Sequence, residues 1–461
     1  MSARTQNMTE GKPLKLIFSF AIPLMLGNVF QQLYTVMDTL IVGRALGVDA
    51  LAALGSTDWL VWLVLGIVTG FTQGFSILMA QDYGAGQIGR LKKGIAHSIL
   101  LSVFWSAVLL IVSLLSGKAI LRFLQTPEEI LPIASTYMYI IFLGIPIIMM
   151  YNLFAAILRA VGDGRTPLIA MIIASMVNIG LDLLFILTFH MGVAGAALGT
   201  VCAQLTAGLI CLNTLRKSEF FRLTKPDFSP ESSLIGKLMY LGVPVAFQNM
   251  VIAVGGMVLQ FVVNGFGVLF IAGYTAANKL YGILEMAAIS YGFAMTTYTG
   301  QNLGAGKYTR IKKGVHTGAF AGIVTSLLIT ACMLIFGRTI VGAFITGTPS
   351  EITQTCEIAY RYLAIMSIAL SSLYLLHVYR SALQGMGNTV IPMISGIAEF
   401  VMRVGAALTL PAFLGGDGIF FAEILAWIGA DVILITSYYI GLAKLLKKPD
   451  VISDCPSGST L

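Results

Sequence analysis

Charge is scarce in this sequence. Only 11% of its 461 residues are Asp, Glu, Lys or Arg, against about 25% in a soluble globular domain. Hydrophobic residues make up 57%, and apolar runs of roughly 18 or more residues recur along the whole length, each enough to cross a hydrocarbon core about 30 Å thick. A soluble protein could not bury them all. Cysteine is sparse as well. Cys202, Cys211, Cys332, Cys356 and Cys455 are scattered with no C-x-x-C or metal-like spacing, which supports neither a disulfide framework nor a zinc site. The four histidines are isolated, and no H-E-x-x-H, G-x-S-x-G or D-D-x-x-D motif stands in the chain, so the metalloprotease, serine hydrolase and prenyltransferase readings lack their chemistry. The chain is read as a non-enzyme. No cleavable signal peptide is expected, because the first apolar stretch, from near Leu14 to about Val42, is too long for a signal h-region.

What is present is a series of apolar spans. Apolar runs and their polar interruptions predict an all-α polytopic membrane protein with twelve helices near 15–42, 51–80, 94–116, 132–158, 167–189, 193–215, 236–264, 269–300, 314–337, 356–383, 389–412 and 417–443. The net charge of +7 is then a topology signal and not a mark of nucleic-acid binding. With the N-terminus inside, the cytoplasmic segments hold Arg4, Lys12, Lys15, Arg90, Lys92, Lys93, Arg159, Arg165, the linker cations Arg216 to Lys237, Lys307, Arg310, Lys312, Lys313, Arg380, Lys444, Lys447 and Lys448. The opposite segments hold only Arg44, Lys118, Arg122, Arg338 and Arg361. That bias predicts both termini in the cytoplasm.

The two halves repeat each other at an offset of about 220 to 225 residues. Ile22-Pro23 and Asn28 recur as Val243-Pro244 and Asn249. Gln81-x-x-Gly84-Ala85-Gly86 recurs as Gln301-x-x-Gly304-Ala305-Gly306, and Arg90-x-Lys92-Lys93-Gly94 as Arg310-x-Lys312-Lys313-Gly314. Thr126-Pro127 recurs as Thr348-Pro349, and Leu158-Arg159-Ala160-Val161-Gly162-Asp163 as Leu383-Gln384-Gly385-Met386-Gly387-Asn388. Each half has an even number of spans, so the repeat is parallel and its pseudo-twofold axis runs along the membrane normal. The predicted organisation is a lobe at 1–220, a linker at 221–235 carrying Pro226 and Pro230, and a second lobe at 236–461. Two such bundles can rock against each other.

An ionisable group inside a span is costly and is a functional candidate by default. Asp38 lies late in span one and Asp182 late in span five. Asn178 is four residues before Asp182, on the same helical face. Thr200 lies about seven residues into span six, roughly 10 Å from its outer end. These four share one depth in the N-terminal lobe and offer only oxygen-rich ligands, which suit a proton or a hard cation such as Na+. Tyr34 and Tyr137 are candidate supporting groups, each equally explained as packing or as an interfacial aromatic, and Asn152 on span four is a further candidate. In the C-terminal half Glu399 and Arg403, four apart, are expected to form an ion pair. Lys279, Glu285 and Asp431 lie within spans without an evident partner. The 21 methionines suit a promiscuous surface, and Phe154, Phe261, Tyr281 and Tyr291 are candidate cleft aromatics, each also explained as packing or lipid-facing.

These marks together resemble the multidrug and toxic compound extrusion (MATE) transporters: Ile22-Pro23 with Asp38-Thr39, the two Gln-x-x-Gly-Ala-Gly segments, Leu158-Arg159-Ala160-x-Gly162-Asp163, and Glu399-x-x-x-Arg403. The resemblance covers essentially the whole chain. It implies a V-shaped twelve-helix fold of two six-helix bundles in a bacterial or archaeal cytoplasmic membrane. It implies antiport of amphipathic, often cationic, organic compounds driven by H+ or Na+, with no cofactor besides that ion. The positions matching Asp38, Asn178, Asp182 and Thr200 form a cation or proton site in the DinF-like branch. The NorM-like branch carries acids on spans seven and ten, where this sequence has Gln248, Asn249 and Gln260 and only Glu357 at the outer end of span ten. Expected partners are small organic substrates and membrane lipids, with no nucleic acid, and the chain is expected to be a monomer. The competing reading is a flippase for lipid-linked sugars, which would need several cations in its cavity where this chain has Lys279 and Arg403.

Overall fold

Glycine and proline set the limits of the helices. The computed structural model describes residues 5–124, 126–342, 345, 349–447 and 450, with the backbone alone at Val48 and Val268. Arg4, Thr348, Lys448 and Cys455, used above, lie outside the described residues. The chain forms α1 (Pro13–Leu46), α2 (Val48–Gly84), α3 (Ile88–Phe123), α4 (Leu131–Leu143), α5 (Ile145–Ala160), α6 (Arg165–Asp182) and α7 (Val193–Arg216) before the linker. After it come α8 (Ser232–Asn264), α9 (Val268–Gly304), α10 (Tyr308–Gly342), α11 (Pro349–Ile368), α12 (Leu370–Gly385), α13 (Val390–Thr409), the short α14 (Pro411–Leu414) and α15 (Asp417–Leu445). Among the described residues no strand occurs.

Nine of these helices are long and apolar enough to cross a membrane, and two bent pairs bring the number to eleven among the described residues. The helix outside that set is α9, whose 37 residues are interrupted by Lys279 and Glu285. Spans four and ten, expected as continuous helices, are both broken. α4 and α5 meet at 48° and α11 and α12 at 49°. Pro146 enters the first break and removes a backbone donor there. The second break has no proline. It falls at Ala369, where Thr330 of α10 donates its hydroxyl to the Ser367 carbonyl at 2.6 Å, and a side chain that intrudes on the backbone ladder in this way kinks a helix.

The repeat is written into the backbone. Left-handed glycines come in pairs at equivalent places: Gly47 and Gly267, Gly86 and Gly306, Gly162 and Gly387, Gly192 and Gly415. α2 and α9 are matching helices of 37 residues each. At one end they press on each other reciprocally. A Cβ on Gly84 would lie 2.0 Å from the Gln301 carbonyl oxygen, and one on Gly304 would lie 1.8 Å from that of Gln81. This end carries the basic loops and is called the basic face here. The N-terminal segment closes it further. Gln301 accepts from Met8 N (2.9 Å) and donates to Ala160 O (2.8 Å), and Arg310 donates to Gly11 O (3.0 Å) and Met8 O (3.3 Å). Gln81 donates to Gly385 O at 3.0 Å.

Close packing, not hydrophobicity, holds helices together in lipid. Along α2, Gly66, Gly70 and Gly74 form one small-residue stripe. Cβ atoms on Gly70 and Gly74 would come within 2.4 Å of Ala246 and 2.5 Å of Gly242 on α8. The cores cross over between halves. Leu16, Ile17, Phe20 and Leu24 of α1 join the core of the C-terminal helices, while Leu234, Leu238, Leu241 and Ala246 of α8 join that of the N-terminal helices. Chain order and packing therefore differ at these two helices, which contain Pro23 and Pro244 respectively.

Candidate cation site and intramembrane charges

α1 and α6 pack together and bring Asp38 towards Asp182. Asp38 is 6% exposed, and Asn178 and Asp182 are fully buried. Asn178 Nδ2 reaches Asp182 Oδ1 at a long 3.4 Å. Asp38 Oδ1, Asn178 Oδ1 and Asp182 Oδ2 have no hydrogen-bond partner. Three orphaned oxygens in one buried region are costly, and a proton or a hard cation is what such oxygens bind. Asp182 ends the α-helical part of its span. A π-helical segment, Leu183–Thr188, follows it, an irregularity often found at functional sites.

Thr200 is half-buried, and its neighbour Gly199 is the residue that faces the acid. A Cβ there would sit 2.2 Å from Asp182 Oδ1, so the glycine makes room for the carboxylate. Tyr34 faces Gln204 and Asp38, and Tyr137 lies within electrostatic range of Asp38, Asp58 and Asp182. Asn152 turns to its own helix, donating to Ile148 O at 2.9 Å. Among the described residues no group of three His, Cys, Asp or Glu side chains could hold a metal ion. A cation here would meet the carboxylates of Asp38 and Asp182 and the amide oxygen of Asn178.

Asp58, on α2, belongs to the same neighbourhood, within electrostatic range of Asp38. It is not among the residues singled out from the sequence, although it lies ten residues into α2 and meets the same criterion as Asp38. Its side chain is exposed at the surface of the helix bundle, and Lys279 of α9 acts on it electrostatically. Of the candidate aromatics, Phe261 is 79% exposed, whereas Phe154, Tyr281 and Tyr291 are buried.

The C-terminal half holds a second, differently organised set. Glu399 bonds to Arg403 at 2.8 Å and to Arg380 at 2.7 Å, and Arg403 also reaches Glu423 at 2.9 Å. Arg380, assigned above to a cytoplasmic loop, is buried in α12 and is a partner of Glu399, so it does not belong in the loop count. Glu423 went unnoticed in the sequence, although it lies within span twelve. Glu285 lies within range of Glu423 and Arg403. Asp431 accepts from Ser372 and leaves Oδ1 unpartnered. Glu357 pairs with Arg338 at an exposed position.

The repeats coincide with what known proteins show. A model of the MatE family matches residues 23–184 and 244–409. The chain is 31% identical to "Probable multidrug resistance protein YpnP" of Bacillus subtilis (strain 168) over 74% of this chain and 77% of that protein. It is 28% identical to "Probable multidrug resistance protein YoeA" of the same organism over 78% and 79% of the respective lengths. It shares its fold with a solved structure described as the outward-facing conformation of a multidrug resistance MATE family transporter of the MOP superfamily, with a TM-score of 0.89 and 23% identity over 97% of this chain and 100% of that one. The two matched segments begin at Pro23 and Pro244, one in each half, and with the twelve-helix arrangement they place the chain in the MATE family of membrane transporters.

Proposed function

We propose that this protein is a cation-coupled antiporter of the DinF-like branch, exporting amphipathic, cationic organic compounds by alternating access. The observation that carries the reading is the set of orphaned oxygens on Asp38, Asn178 and Asp182. A proton or Na+ arriving there satisfies them and biases the N-terminal bundle, and its binding drives release of substrate. The basic face then lies in the cytoplasm, with both termini, in a bacterial or archaeal cytoplasmic membrane. The branch assignment is supported by the absence of carboxylates on α8, where Gln248, Asn249 and Gln260 stand. The protein works as a monomer without a cofactor beyond the coupling ion. The flippase reading needs free cations, yet Arg380 and Arg403 are both bound by carboxylates.

Asp38→Asn tests the site. In inverted vesicles loaded against a dye, the variant is expected to lose efflux driven by an imposed pH or Na+ gradient. Undiminished gradient-driven efflux would sink the proposal. Comparing the two gradients on the unmodified protein identifies the coupling ion.

A further inference from the structure

α2 and α9 are equivalent helices that meet reciprocally at the basic face, Gly84 on Gln301 and Gly304 on Gln81. Both begin after a left-handed glycine, Gly47 and Gly267, and both run 37 residues. Helices related by a twofold axis and touching on it present equivalent positions to each other along their length. Asp58 and Asn278 are equivalent in this register, and Lys279 follows Asn278. Asp58 and Lys279 are both exposed and within electrostatic range of each other. Among the described residues they form no contact ion pair. They bring one charge from each half into electrostatic range, on the two helices that meet at the basic face.

Asp58 has a second feature. Trp62, one turn further along α2 and on the same side, is 56% exposed. Its indole packs edge-on against Trp59, with ring centroids 6.1 Å apart, and Trp59 in turn abuts Gly256 of α8. An accessible carboxylate beside an accessible, braced indole combines charge attraction with an aromatic face, the pairing that recognises an organic cation with an apolar body.

We propose that Asp58, with Trp62, takes the cationic group of the substrate in the cleft, and that Lys279 is its resting counter-ion, displaced when substrate arrives. This inference rests on the reading of the chain as an exporter of organic cations and adds the residues that choose the charge. Asp58 is separate in role from Asp38 and Asp182, which are buried and hold the coupling ion. Lys279 keeps the cleft from attracting small inorganic cations, because a substrate must contribute apolar contact as well as charge to replace it.

The test uses the purified full chain and equilibrium binding of tetraphenylphosphonium, with triphenylphosphine oxide as its neutral analogue. Asp58→Asn is expected to weaken tetraphenylphosphonium about tenfold, as for a unit charge at several ångströms in a partly wet site, and to leave the neutral analogue unchanged. Asp58→Glu restores cation binding. Lys279→Gln tightens tetraphenylphosphonium several-fold in the unmodified background and has no effect once Asp58 is Asn. Unchanged cation binding in Asp58→Asn, an equal loss for the neutral analogue, or a Lys279→Gln effect that persists without Asp58 would overturn the assignment while leaving the exporter reading in place. If the unmodified chain binds no tetraphenylphosphonium at all, both fall.

Discussion

The reciprocal contact of α2 and α9 at the basic face can be tested by adding one methyl group. In Gly304→Ala the new Cβ would lie 1.8 Å from the Gln81 carbonyl oxygen and 2.7 Å from its carbonyl carbon. Both are backbone atoms that cannot rotate away. Restoring an ordinary contact needs the helices to part by about 1 Å or more, and overpacking of this kind costs about 1–3 kcal/mol. That cost falls only on the form closed at the basic face, so the equilibrium moves towards the open form by about 5–150-fold. Gly84→Ala, against the Gln301 backbone at 2.0 Å, should behave alike. Spin labels at Gln87 and Lys313, in a chain whose native cysteines are replaced, would report the change as a new population at longer distance, together with a lower melting temperature. If Gly304→Ala alters neither the distance distribution nor the melting temperature, the closing contact is not where the structure puts it.

Two further expectations concern charge. Glu399 joins Arg380 and Arg403, and removing one member of a buried pair costs about 3–5 kcal/mol because the partner is left uncompensated. Glu399→Leu should therefore lower the melting temperature sharply and Glu399→Asp much less, and equal melting of the two would refute the network's role. In the linker, Thr224 donates its backbone N–H (2.7 Å) and its hydroxyl (2.8 Å) to Asp227, holding that carboxyl below its ordinary range. A carboxyl depressed in the folded state stabilises at neutral pH, and the gain disappears as the pH falls through the folded value. Hydrogen exchange at the Thr224 amide should thus be faster in Asp227→Asn than in the unmodified chain at pH 7, and the difference should vanish in acid. A difference that persists in acid would refute it.

Much of this architecture is legible without coordinates because it rests on length, periodicity and duplication. The spans follow from apolar runs, and the repeat from polar landmarks such as Gln81 and Gln301, whose side chains cross between halves. Asp38 and Asp182 stand out because a carboxylate is costly to keep in an apolar run. What the sequence conceals depends on which way a side chain faces and what lies opposite. Arg380 sits near the end of a span, where a loop charge and a buried one read alike, and only the position of Glu399 decides. Glu423 and Asp58 satisfy the same rule as Asp38, but Arg403, which pairs with Glu423, and Lys279, which acts on Asp58 at longer range, lie on other helices. Gly199 illustrates the limit differently. Its function is to be absent in front of Asp182, and no residue pattern announces an empty space. The break at Ala369 has no proline to mark it.

The crossing of α1 into the C-terminal core has a consequence for how the protein is made. Met8 finds its partner Gln301 across 293 residues of chain. At a synthesis rate of about 5–20 residues per second, that partner emerges roughly 15–60 s after Met8 does. The N-terminal bundle must likewise wait for α8 before its own core is complete. Neither half can finish folding as it leaves the ribosome, so the first helix to be made is among the last to settle. Phe20 already meets Gly164 of its own half, but the side of α1 that carries Leu16 and Ile17 completes its core only when the C-terminal helices arrive, an interval set by translation.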